Sequence, residues 1–212
     1  MLIKLREDAQ VAATLAFYRD NAREYVRETV DVDGIAPMRR RFVELLAANS
    51  LILDLGCGSG RDSKFFLELG HQVVAIDPVK EIAACAAQYL QQPVFIKKAE
   101  EIDEQNIYDG IWACASLLHI PKSRIAEALS RIAHALKPWG SWYMSFKQGE
   151  REEQDQRQRF FNNYSLAAMR NLLDGLPQLQ IIDLSESRST LRGEQQTWIN
   201  VLVTTSEETA IL

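Results

Sequence analysis

"LILDLGCGSGRDSKFF", residues 51–66, passes from an unbroken apolar run into three glycines at alternate positions and then into a helical pattern. "LILDL" is short and apolar, as a strand buried on both faces of a parallel sheet must be. Gly56, Gly58 and Gly60 stand where the chain turns from that strand into the helix. Glycines gather where the backbone adopts conformations closed to other residues, or where a ligand lies against it. One or two would suffice for a turn. Three point to a ligand, with a tight turn and no ligand as the plain alternative.

Outward from this stretch the pattern alternates. The helix over 60–69 closes at Gly70, "QVVAID" reads as a second strand and 79–90 as an Ala-rich helix. "VFIKK" is a third strand, followed by one helical turn at 100–105, and "YDGIWAC" is a fourth. Ile125, Leu129, Ile132 and Leu136 mark a helix over 122–136 that Pro138 stops, and "WGSWYMSF" is a fifth strand with Gly140 at its start. Strands separated by such helices form a parallel sheet covered on both faces. Beyond them, "GEREEQDQRQR" (149–159) reads as an exposed, mobile loop, and a helix spans 165–174. "QLQIIDLSESRS" and "TWINVLVTT" form an antiparallel pair joined by a loop containing Gly193.

Upstream, Val11, Leu15, Tyr18, Ala22, Tyr25 and Thr29 share one stripe of a helix over 9–30. "DVDGIAP" breaks it, and a second helix over 38–49 turns Phe42, Leu45 and Leu46 inward.

The 212 residues are 47% hydrophobic and 25% charged, enough for one packed core. A net charge of -5 counts against a general nucleic-acid binder. No apolar run reaches the roughly 18 residues of a membrane span. The start of the chain, "MLIKLREDAQ", lacks the apolar core of a signal peptide. Cys57, Cys85 and Cys114 have no metal-type spacing and read as reduced thiols of a cytoplasmic protein; with three histidines in all, no metal site is expected.

The glycine loop discriminates between ligands. A dinucleotide loop needs G-x-G-x-x-G: Gly56 and Gly58 fit, but Arg61 occupies the third place. The phosphate loop G-x-x-x-x-G-K-S/T is absent. What stands there is D-x-G-x-G-x-G, from Asp54 to Gly60. That pattern resembles the first motif of class I S-adenosylmethionine-dependent methyltransferases. "YDGIWACASLLHIP" and "ALKPWGSWYMSF" follow in the family's order, so the resemblance covers about residues 38–146. "GCGSGRDS" is most similar to the small-molecule branch that includes tellurite-resistance-type and ubiquinone-biosynthesis-like enzymes.

The resemblance implies an α/β, Rossmann-like, doubly wound sheet of seven strands, order 3-2-1-4-5-7-6 with strand 7 antiparallel, under an N-terminal helical cover. A single domain over 1–212 would comprise a lid helix (1–36), a cofactor-binding core (37–146) and a substrate-side loop with the terminal strands (147–212). It implies S-adenosyl-L-methionine as cofactor, whose positive sulfonium suits the Asp54 carboxylate near the loop. Backbone at Gly56, Cys57 and Gly58 would contact the methionine end, and Asp77, 21 residues after Gly56, would hold the ribose. Pro78 would lie beside the adenine, with Ala99 backbone and the Glu100 side chain at its edge. Lys98 stands where the family often has an acid. Ala113 and Cys114 would line the far side of the methionine. For Asp77 alone, capping of the next helix is the other reading.

The methyl acceptor would be a small molecule, with no membrane partner and no nucleic acid. His119, in "SLLHIP", is the candidate base; packing against backbone near Pro121 is the alternative. His71 and His134 read as solvent-exposed. Tyr18 and Tyr25 share a helix face, as lid residues over the cofactor or as core packing. Arg39, Arg40 and Arg41 read as a solvated basic face. Lys147, Arg159, Phe160, Asn163 and Tyr164 are the substrate-side candidates and suit an anionic or planar acceptor. Otherwise Phe160 and Phe161 anchor the loop and Ser165 caps the next helix. A non-catalytic cofactor- or partner-binding module, a nucleotide-dependent oxidoreductase and an RNA or protein methyltransferase are the competing functions.

Overall fold

The structure, a computed structural model, describes residues 2–32, 34–191 and 194–206. The N-terminal part is helical: α1 (Leu2–Asp20), α2 (Ala22–Thr29) and α3 (Ala36–Val43). The alternating part follows as β1 (Leu51–Leu55), α4 (Arg61–Glu68), β2 (Gln72–Ile76), α5 (Lys80–Leu90), β3 (Val94–Phe95), β4 (Tyr108–Ala113), α6 (Lys122–Ala133) and β5 (Leu136–Lys147). Short 3₁₀ turns at Ala99–Glu101 and Leu117–His119 follow β3 and β4. The last part holds β6 (Glu152–Gln154), β7 (Phe160–Asn162), α7 (Leu166–Asp174), β8 (Leu179–Leu191) and β9 (Glu194–Thr205).

Seven strands form one sheet in the order β3-β2-β1-β4-β5-β9-β8, with β1 to β5 parallel and β9 antiparallel to both neighbours. This is the expected order, β8 and β9 being its sixth and seventh strands. The order reverses between β1 and β4, where open α/β sheets leave a crevice at the strand ends.

Strand alternation sorts the core into two layers. Leu53, Leu55, Ile111, Ala113, Met144, Phe146, Ile199 and Val201 face the α6 and α7 side. Ile52, Trp112, Tyr143 and Leu202 face the other side and meet Phe42 of α3 and Phe66 of α4. Both faces are buried, which explains the continuous apolar runs. Trp112 is the centre of the second layer. It stacks on Tyr143 at 4.1 Å between ring centres and meets Phe42 and Phe66 at 5.2 and 5.4 Å.

The Trp112 indole N–H donates to Asp62 (2.9 Å), which also receives Arg39 (3.2 Å) and Arg61 (2.8 Å). Arg39 is therefore buried and paired, not solvated as its neighbours suggested. Other expectations are corrected. The helix over 9–30 breaks at Asn21, whose amide donates to the Phe17 carbonyl (2.8 Å) and competes with the helical backbone. Leu45 is exposed because α3 ends at Val43. The α6 helix stops at Ala133, so Leu136 pairs with Tyr108 in the sheet. His71 is buried and His134 half-buried.

The charged run at 149–159 is a hairpin, not a mobile loop, with Glu152 opposite Asn162 and Gln154 opposite Phe160. Asp155 accepts the backbone N–H groups of Arg157 and Arg159, both at 2.9 Å, which closes the turn without an apolar residue. Ser165 caps α7 by accepting from Ala168 N–H at 3.3 Å. Gly193 lies outside the described residues.

Asp62 is the node that ties α3, α4 and β4. Removing its carboxylate in Asp62→Ala breaks the buried pairing with Arg39 and takes the acceptor from the Trp112 indole N–H, at a cost of about 3–5 kcal/mol. Urea unfolding followed by tryptophan fluorescence checks this. A loss below about 1 kcal/mol, the ceiling for most exposed ion pairs, would show that the node carries no such weight.

Candidate functional site

The glycine turn sets the floor of the site. Gly56, Gly58 and Gly60 have φ of +76, +55 and +81°, values that L side chains rarely adopt. The N–H groups of Gly56 and Cys57 both donate to the Ile76 carbonyl at 2.9 Å, which pins the turn to the end of β2. A Cβ on Gly56 would stand 2.7 Å from Ser116 Cβ, and one on Gly58 would stand 3.2 Å from the Tyr25 hydroxyl. Glycine here permits close approach of the loop after β4 and of α2.

Over this floor lies a cavity of about 320 Å³. It sits at the small end of the roughly 300–1,000 Å³ typical of small-molecule sites. Of the expected cofactor residues, Tyr18, Tyr25, Gly56, Gly58, Asp77, Pro78, Ala99, Glu100 and Cys114 line it, as does His119. Asp54, Cys57 and Ala113 do not. Strand and turn alternation sends the Cys57 side chain to Ala75, Ala86 and Leu90 and the Ala113 methyl into the core. Asp54 accepts Ser63 Oγ–H at 2.6 Å beneath the loop. Burial and the nearby Asp62 charge push the Asp54 carboxyl up to about 7.

Asp77 caps the next helix, the second of the readings made of it, and also bonds the glycine turn. One oxygen accepts Val79 N–H (2.9 Å) at the start of α5, and the other accepts Gly58 N–H (3.1 Å). Burial raises it to about 6 against the pull of those two donors.

His119 has a defined protonation pattern. Its Nδ1 lies 2.6 Å from the Phe160 carbonyl, which can only accept, so Nδ1 carries the proton. Nε2 therefore offers its lone pair, and the Tyr18 hydroxyl donates to it at 3.1 Å. Loss of water lowers the imidazole to about 4, helped by the Arg159 and Lys147 charges. Burial raises Tyr18 and Tyr25 above the ordinary phenol value.

None of the five substrate-side candidates lines the cavity. Arg159 pairs with Asp155 at 2.7 Å and lies by the rings of Phe17 and Phe161. Lys147 sits 3.5 Å over Phe161, whose ring faces His119 at 5.1 Å. Asn163 donates to Glu153 (2.8 Å), and Tyr164 packs on Phe146. Residues that sequence reasoning missed include Asp8, Thr14, Ser116 and Arg124, all on the cavity wall. Asp8 and Thr14 belong to α1, whose inward face the stripe of Val11 and Leu15 did signal; for Arg124 no signal existed.

The sheet order is that of the Rossmann-like methyltransferase fold, and residues 52–140 match the family described as a methyltransferase domain. The chain is similar to an uncharacterized methyltransferase of Mycobacterium tuberculosis, 28% identical over 160 residues that cover 74% of this chain and 61% of the relative. A ubiquinone biosynthesis O-methyltransferase of Rhodopseudomonas palustris is 27% identical, over 59% of this chain and 47% of that enzyme. The match thus spans about half to three-fifths of these relatives. Among solved structures, the 1,6-didemethyltoxoflavin-N1-methyltransferase of Burkholderia thailandensis, with 1,6-didemethyltoxoflavin and S-adenosylhomocysteine bound, superposes with a TM-score of 0.78. It is 21% identical, and the match covers 92% of this chain and 88% of that one. No helix among the described residues is long and apolar enough to cross a membrane.

The His119 ring stays neutral above its lowered pKa of about 4. Nitrogen-15 NMR of the imidazole between pH 5.5 and 8 is expected to show one unchanging neutral tautomer protonated on Nδ1. A titration with a midpoint near the ordinary value of about 6.5 would contradict it.

Proposed function

We propose that this chain is an S-adenosylmethionine-dependent methyltransferase whose acceptor is a small molecule with an O, N or S nucleophile. The observation that carries this reading is the convergence on one cavity of the left-handed glycine turn, the buried Asp77 carboxylate and His119. The residues present fit the cofactor. Gly56 and Gly58 offer bare backbone where a Cβ would crowd Ser116 or Tyr25. Asp77 offers a carboxylate to vicinal hydroxyls. Pro78, Val79 and Ile82 give an apolar wall for a flat base, with Ala99 and Glu100 on the other side.

When bound, S-adenosylmethionine supplies an electrophilic methyl on a sulfonium that leaves as a neutral thioether. The chain's own residues then orient and deprotonate. Helix α1 roofs the cavity and excludes water, which strengthens every polar contact inside. The acceptor's O–H, N–H or S–H takes the place of the Tyr18 hydroxyl, and His119 Nε2 receives the proton as the acceptor gains its methyl. The Phe160 carbonyl holds the ring for that transfer. In this reading Lys147, Arg159, Phe160, Asn163 and Tyr164 shape the wall behind His119 rather than touch the acceptor. A small acceptor is in keeping with the Burkholderia enzyme, whose bound substrate is a small heterocycle. The unpaired thiols of Cys57, Cys85 and Cys114 support a cytoplasmic setting.

Calorimetric titration with S-adenosylhomocysteine tests the first step. The wild-type chain is expected to bind, and Gly56→Ala to lose at least about tenfold (about 1.4 kcal/mol) through left-handed strain and contact with Ser116. Asp77→Asn is expected to weaken binding by a similar factor. Absence of binding by the wild-type protein would overturn the assignment. Binding without turnover against phenols, amines and thiols would leave a non-catalytic binding module in its place.

A further inference from the structure

Arg124 lies near the start of α6 and reaches the cavity wall. Its Nη1 pairs with Asp8 of α1 at 3.1 Å. Its Nε and Nη2 are buried away from solvent and have no hydrogen-bond partner. These two nitrogens form the side-on edge of the guanidinium, with parallel N–H groups spaced to meet the two oxygens of one carboxylate. An arginine in a protein cannot shed its charge, and buried donors without acceptors are costly to keep. The sequence supplies an acceptor for one end of the fork only.

None of the other charged residues of the wall, Glu100 included, is hydrogen-bonded to these two nitrogens. Asp77 is occupied by Gly58 and Val79 N–H groups. Lys97 is neutralised by Asp103 and Glu104. Asp8, half exposed at 49%, balances one unit of charge on the outer side of Arg124. An anion that parts the packing over this edge meets a donor pair for which the described residues supply no acceptor.

The geometry points to a carboxylate subsite on the Nε/Nη2 edge of Arg124, occupied by a carboxylate of the methyl acceptor. The assignment to the acceptor rests on the function proposed above; the subsite itself rests on the unpaired fork. Two carboxylates are chemically eligible, that of the acceptor and that of the cofactor's methionine moiety. Position favours the acceptor: Arg124 follows the candidate base His119 by five residues on the segment after β4, whereas the glycine turn follows β1.

Benzoate, benzamide and S-adenosylhomocysteine are the probes. Each is titrated calorimetrically into the wild-type protein, Arg124→Met and Arg124→Lys, with benzoate and benzamide measured in saturating S-adenosylhomocysteine. Benzoate is expected to bind the wild type at least tenfold tighter than benzamide. Arg124→Met should lose that preference, and Arg124→Lys, which keeps the charge but not the fork, should recover only part of it. S-adenosylhomocysteine affinity should stay within about twofold in both variants. Circular dichroism of the lysine variant guards against misfolding as the cause. Equal binding of benzoate and benzamide, or benzoate binding unchanged in both variants, would overturn the subsite. A tenfold fall in S-adenosylhomocysteine affinity with benzoate unaffected would assign the fork to the cofactor and overturn the acceptor carboxylate. If the wild type fails to bind S-adenosylhomocysteine, the methyltransferase reading fails, while benzoate titrated alone still decides whether the fork takes a carboxylate.

Discussion

Three left-handed residues within five, at Gly56, Gly58 and Gly60, are the constraint on which the rest is built. They let β1 end and α4 begin within a span too short for ordinary backbone, so two consecutive N–H groups can share the Ile76 carbonyl. The turn thereby draws the end of β2 beside the end of β1, and Asp77 with it. It also leaves room for Ser116 and Tyr25 against the turn. Loops after β1, β2 and β4 consequently meet at one place, at the reversal of strand order.

The carboxylates around that place divide by their partners. Asp62 gathers two guanidinium groups and an indole N–H and ties helices to sheet. Asp54, eight residues earlier, accepts the Ser63 hydroxyl, and burial with the nearby Asp62 charge pushes its carboxyl up to about 7. Asp77 keeps two backbone donors and faces the cavity. One patch of sequence thus holds a carboxylate that ties helices to sheet, one pushed toward its protonated form and one turned toward the cavity.

What was legible in the sequence is what local pattern encodes. Apolar runs, the glycine spacing and strand–helix alternation led to the sheet order and to the cavity floor of Gly56, Gly58, Asp77 and Pro78. Which motif residues turn their side chains away was not legible: Cys57 and Ala113 sit in the right motif, and alternation points them into the core. The walls were illegible for a different reason, since they come from pairs distant in the chain. Tyr18 and His119 are 101 positions apart, and Thr14 and Phe160 are 146 apart. A charged residue at a helix start, such as Arg124, reads as surface until a second helix is laid across it. The run at 149–159 misled because it lacks apolar residues, while Asp155 closes its turn by hydrogen bonding alone.

Phe160 touches both sides of the site. Its N–H donates to Thr14 of α1, and its carbonyl holds His119 Nδ1. The same helix, four residues on, carries the Tyr18 hydroxyl that occupies Nε2. Helix α1 and the His119 ring are therefore latched together through three hydrogen bonds. Any displacement of α1 that broke the Tyr18 bond would uncover the imidazole lone pair in the same movement. With the helix in place, the chain's own phenol stoppers that nitrogen.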